Sequence, residues 1–126
     1  MKLETQNIRL TKDKKELLAF LSKPKNHHSL VNGLVKNFEA TNNSISYEID
    51  QIGSITFLFE TLESSFVQRA KNDLPIPIEI QWLFEGSGVY CKAIVQTNPM
   101  LWTMIKGKIA TFLEEQLRRL QKIHST

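Results

Sequence analysis

From Ile45 onward, apolar and polar residues alternate with a period of two. Ile45, Tyr47 and Ile49 fall on one side of an extended run while Ser46, Glu48 and Asp50 fall on the other, and Ile55, Phe57 and Phe59 oppose Ser54, Thr56 and Glu60 in the same way. Successive side chains of a strand point to opposite faces, so this alternation predicts a sheet with one dry face. Ile76, Ile78, Ile80, Trp82 and Phe84 continue that face, and Val89, Cys91, Ala93 and Val95 form its last row. The candidate strands are Val35–Ala40, Ile45–Ile49, Ser54–Leu62, Phe66–Lys71, Ile76–Phe84 and Val89–Gln96. The segments between them are short and rich in Asn, Asp, Gly and Ser, which predicts antiparallel hairpins.

After Gln96 the period changes. Asn98 is a favourable N-cap and Pro99 suits the first helical position, where its missing N–H has no partner to lose. At about 100° per residue, Leu101, Trp102, Ile105, Ile109, Phe112, Leu113, Leu117, Leu120 and Ile123 share one arc, with Lys108, Glu114, Glu115, Arg118 and Lys122 opposite. The pattern predicts one long helix, about 37 Å at roughly 1.5 Å per residue, enough to cross a small domain. Ahead of the strands, Met1–Leu10 reads as an edge strand, and Thr11 or Asp13 caps a short helix over Lys14–Leu21 with Leu17, Leu18 and Leu21 buried. Pro24 stops that helix, and Asn26–Val31 forms a second helical turn.

This order of one strand, two short helices, six strands and a long helix resembles the START-like, or SRPBCC, helix-grip superfamily, which includes polyketide cyclases and the birch-pollen allergen. The resemblance covers almost the whole chain and looks closest to short START-like proteins of Bacteroidetes-type bacteria. It is carried by Ile45-Ser46-Tyr47-Glu48-Ile49-Asp50 followed by Ile52-Gly53, by the alternation from Ile78 to Phe84, and by Asn98-Pro99-Met100 opening the last helix. It implies an α+β helix-grip fold over residues 1–126, in which a seven-stranded antiparallel sheet wraps the long C-terminal helix and two short helices follow strand 1. It also implies an apolar cavity between sheet and helix, a space that in the superfamily holds lipids, sterols, polyketides or other hydrophobic molecules. No catalytic motif comes with it.

Composition narrows the picture without changing it. With 126 residues and 41% hydrophobic content the chain supports one core and no second. A lone cysteine, Cys91, precludes an internal disulfide and a multi-cysteine metal cluster, which fits a reducing cytoplasm. A secretory leader pattern is not evident and no apolar run reaches roughly 18 residues, so a soluble cytoplasmic protein without stable membrane insertion is expected. The net charge of +3 is spread among acids and reads as a solvated surface rather than a nucleic-acid footprint. His27 and His28 diverge as neighbours and read as surface or cap residues, and His124 lies near the end of the last helix, so neither a metal nor a cofactor is expected. Cys91 reads as a small core residue, and Gly86-Ser87-Gly88 as a hairpin turn, since no helix follows it to hold a phosphate.

The candidate ligand-binding residues are Phe38, Tyr47, Phe57, Phe59, Trp82, Cys91, Trp102 and Ile105, which converge on the dry face from different elements. Tyr47 O–H and the Trp82 or Trp102 N–H are the orienting donors, and the wider end of the cavity is expected beside Trp102. Met100 and Met104 stand off the apolar arc and read as a cavity entrance or a homodimer patch. The leading expectation is non-catalytic carriage of a small hydrophobic molecule. The alternatives are a protein–protein interaction module with a filled core, and an aromatase- or cyclase-like enzyme, for which the dry face offers Tyr47 alone as an acid–base group.

Overall fold

The structure, a computed structural model, describes residues 1–71 and 77–124. The expected turn Asn72-Asp73-Leu74-Pro75 and the expected strand start at Ile76 lie outside the described residues. The elements are β1 (Lys2–Glu4), β2 (Ile8–Arg9), α1 (Lys14–Leu21), a 3-10 turn (Pro24–His27), α2 (His28–Val31), β3 (Lys36–Ala40), β4 (Ser44–Ile49), β5 (Gly53–Thr61), β6 (Ser65–Ala70), β7 (Ile78–Glu85), β8 (Gly88–Val95) and α3 (Pro99–Ile123).

All named strand pairs are antiparallel, in the order β1-β8-β7-β6-β5-β4-β3, with β2 also on β8. The expected N-terminal strand is therefore split: Glu4 pairs with Lys92 and Ile8 with Val89, so Thr5–Asn7 accommodates one residue more than its partner. Thr5 turns its backbone and hydroxyl onto Cys91, donating its N–H to the Cys91 carbonyl at 2.9 Å while its Oγ1 accepts the Cys91 N–H at 2.9 Å. At the same edge Asn7 lies against Gly88, where a Cβ would meet the Asn7 Oδ1 at 1.7 Å and the Ile8 carbonyl at 2.9 Å.

The alternation fixes which residues line up across the sheet. One inner row runs Phe59, Gln68, Ile80, Ala93, Leu3, and the next holds Phe66, Trp82 and Cys91. Val89, Cys91, Ala93 and Val95 are all buried, as their period predicts. On the outer face Arg69 binds Glu60 at 2.7 Å and Glu79 at 2.9 Å across three strands, leaving polar groups toward water.

α3 lies on the inner face. Asn98 caps it by accepting the Leu101 N–H at 2.8 Å, and Ile105, Ile109, Phe112, Leu113, Leu117 and Leu120 are buried against the sheet core. Its C-terminal half is fastened by side chains reaching backbone carbonyls: Arg119 donates to Asn32 at 2.7 Å and Gln121 to Arg9 at 2.8 Å. The ends of the expected arc depart from it, because Leu101 and Ile123 are exposed while Gln116, polar, is buried within it. The result is an α+β helix-grip arrangement of an antiparallel sheet with a long C-terminal helix packed on it. No helix among the described residues is long and apolar enough to cross a membrane.

Candidate functional site

The expected site residues fall into two groups within one core. Tyr47 on β4 stacks on Phe38 of β3 at 6.4 Å and packs against Phe57 of β5 at 5.9 Å, while Phe112 of α3 meets it edge-on at 5.9 Å. Phe59 and Trp82 belong to the second group, where Phe59 meets Phe66 edge-on at 4.9 Å and Cys91 sits opposite Trp82 across β7 and β8. Ile105 is buried and Trp102 half-buried on the first turns of α3, both packed on the same core. Phe57, Trp82 and Cys91 are each 0% exposed, so side chains fill the space between these walls.

The centre of the second group is His27, expected as a surface or cap residue and found at the N-cap of α2 but fully buried. Its ring lies 4.7 Å from Phe59, 5.7 Å from Phe66 and 6.4 Å from Trp82. The 3-10 turn opened by Pro24 directs His27 inward and leaves His28 exposed against Phe38. His27 Nε2 lies 2.8 Å from the Leu21 carbonyl, which can only accept, so Nε2 carries the proton. Burial drives the imidazole pKa down to about 4, against a smaller opposing effect of that hydrogen bond. The ring is thus neutral near pH 7, and Nδ1 is a bare acceptor without a partner among the described residues.

Gln68 and Tyr47 complete a buried polar cluster. Trp82 Nε1 donates to Gln68 Oε1 at 2.7 Å, and because an indole only donates, the amide orientation is settled and its NH2 points elsewhere. That Gln68 nitrogen and the Tyr47 hydroxyl are both buried without a hydrogen-bond partner of ordinary geometry among the described residues. Burial raises the Tyr47 pKa, and the nearby Gln68 amide opposes that rise only in part. Gln116, on the buried face of α3, leaves both of its amide atoms unpartnered as well. An orphaned buried donor or acceptor costs about 1–3 kcal/mol, so such a group is kept only where something else compensates. The period-two pattern places Gln68 opposite Phe59 and Ile80, a position where a polar residue in an apolar row was a readable signal.

A depression of about 610 Å³ opens beside this interior, lined by Leu34, Ile49, Asp50, Gly107, Lys108, Thr111, Phe112 and Glu115. Its floor is apolar, through Leu34, Ile49 and Phe112, and Asp50, Lys108 and Glu115 form a charged rim. Gly107 leaves the helix side open, with nothing within 4 Å of where its Cβ would stand. Phe112 joins the two regions, since it lines the depression and touches Tyr47. This opening lies further along α3 than Trp102, where the wider end was expected. The other flank of α3 has a smaller depression of about 340 Å³, with Glu4, Gln6, Glu114 and Arg118 among its walls. Among the described residues no group of three His, Cys, Asp or Glu side chains is placed to hold a metal ion.

No family model matches the sequence, and no curated protein matches it significantly. Solved structures do match in fold. A structural-genomics target from Deinococcus radiodurans is 12% identical with a TM-score of 0.63, over 97% of this chain and 95% of that one. A hypothetical protein from Sulfolobus tokodaii is 8% identical with a TM-score of 0.69, over 99% of this chain and 93% of that one. At these identities the chain shares with both an α+β fold built on an antiparallel sheet.

Proposed function

We propose that this chain is a START-like helix-grip protein that binds a small hydrophobic molecule without transforming it. The observation that carries the reading is the depression of about 610 Å³ at the seam of helix and sheet, apolar in its floor and continuous through Phe112 with the aromatic group around Tyr47. That volume falls in the range of roughly 300–1,000 Å³ typical of small-molecule sites, and an apolar floor with a few polar rim groups is their usual chemistry. The buried titratable groups support binding over acid–base catalysis, because burial holds His27 and Tyr47 in their neutral forms near pH 7, far from the poise a general base needs.

The test is a blocked groove. Gly107→Trp adds a large ring where the helix side is open, and should leave the fold intact while native mass spectrometry of protein from its own host finds the ligand lost. Retention of the same ligand by wild type and variant would contradict the groove as the site.

A second reading, an interaction module with a filled core, is favoured by the exposed start of α3. There Met100 is 76% and Met104 68% exposed, beside Leu101. A wild-type chain that carries no small molecule and self-associates, with association abolished by Met104→Glu, would favour it.

A further inference from the structure

We propose that His27, Tyr47 and Gln68 form a recognition site for the hydroxyl group of an otherwise apolar ligand, a neutral alcohol or phenol whose body enters along the groove floored by Phe112. This rests on the binding reading above and adds the chemical class of the ligand. His27 Nδ1 offers a lone pair, since Nε2 is committed to the Leu21 carbonyl. Gln68 offers N–H donors, since its oxygen is committed to Trp82. Tyr47 offers a hydroxyl that can donate or accept. Among organic headgroups a hydroxyl matches all three: it donates its proton to His27 Nδ1 and accepts from Gln68 or Tyr47.

Other headgroups fit less well. A carboxylate has no proton to give to the His27 lone pair, and the buried polar residues, Thr5, His27, Ser44, Gln68 and Gln116, include no lysine or arginine to balance its charge. An ammonium would leave the Gln68 N–H groups unsatisfied and has no buried carboxylate among the described residues to meet it. An ether accepts but cannot donate.

The three groups belong to one neighbourhood. Phe59 is the cross-strand partner of Gln68 and packs on the His27 ring, Trp82 touches both His27 and Gln68, and the Gln68 amide bears on Tyr47. In the described packing these residues close on one another, so the ligand must displace the Phe112 ring that separates Tyr47 from the groove. Relief of orphaned groups then favours the opened state.

Isothermal titration calorimetry of the full chain with 2-naphthol, its methyl ether and 2-naphthoate tests the proposal. Wild type should bind the naphthol about tenfold more tightly than the ether or the carboxylate, the factor expected of about one net hydrogen bond. His27→Phe, which removes the Nδ1 lone pair that only the naphthol can use, should cut that advantage to about threefold or less and leave the ether affinity unchanged. Equal affinities for naphthol and ether in wild type, or an undiminished advantage in His27→Phe, would overturn the hydroxyl site and leave the groove standing. Binding of none of the three probes would overturn both. The wild-type comparison decides the matter even if the variant does not fold.

Discussion

Two buried side chains with similar exposure carry opposite expectations. Among the described residues the Tyr47 hydroxyl meets only the Gln68 amide, outside ordinary hydrogen-bond geometry, so Tyr47→Phe should leave stability unchanged or raise it by up to about 1 kcal/mol. Gln68 accepts from the buried Trp82 N–H, so Gln68→Met strands that donor and should cost about 1–3 kcal/mol. Denaturant midpoints of the two variants check the contrast. His27 adds a pH dependence. Its folded pKa of about 4 lies below the ordinary 6.5, so the unfolded chain takes up a proton that the folded chain refuses. The stability concerned is complete above pH 6.5 and is lost as pH falls toward 4, on the order of 3 kcal/mol in all. About 2 kcal/mol of that lies between pH 7 and 5, above the range where ordinary carboxylates titrate, and a His27→Gln variant should be flatter over this window. Of the residue-scale chemistry, Tyr47 and the Trp82 N–H were read beforehand and Gln68 was readable as a polar residue in an apolar row, but His27 was not. His27 sits next to exposed His28 in a polar stretch, and only the geometry of a turn starting at Pro24 sends one ring inward and the other out.

At the scale of elements, period and caps read well. The alternation in β4, β5, β7 and β8 and the Asn98-Pro99 start of α3 stand within a residue or two of expectation, because burying one face leaves one workable register. The division of the first strand was not legible. It depends on Asn7 packing over Gly88, a contact between residues distant in sequence. Gly88→Ala should therefore destabilise, since the Ile8 carbonyl is backbone and cannot swing aside as the Asn7 side chain can. Gly107→Ala faces open space within a helix and should stabilise by about 1 kcal/mol through helix propensity alone. Phe112→Ala, which removes a buried ring between α3 and β4, should cost about 3–5 kcal/mol. Thermal unfolding of the three variants ranks them, and an unchanged midpoint for Phe112→Ala would contradict the packing described.

At the scale of the molecule, the fold class was legible because strand and helix periods succeed one another in an order few architectures accommodate. The place of the opening was not. Aromatic content pointed to Trp102, yet apolar side chains fill space as readily as they line it, and composition alone does not distinguish the two. The opening depends on Gly107, whose missing side chain leaves α3 clear of β4 at Ile49. The most direct test is amide chemical-shift mapping of the full chain titrated with 2-methoxynaphthalene, an apolar probe without a hydroxyl. Binding at the proposed seam predicts saturable shifts at Leu34, Ile49, Gly107, Thr111 and Phe112. A spectrum that does not move, or moves only around Met100 and Met104, would contradict it.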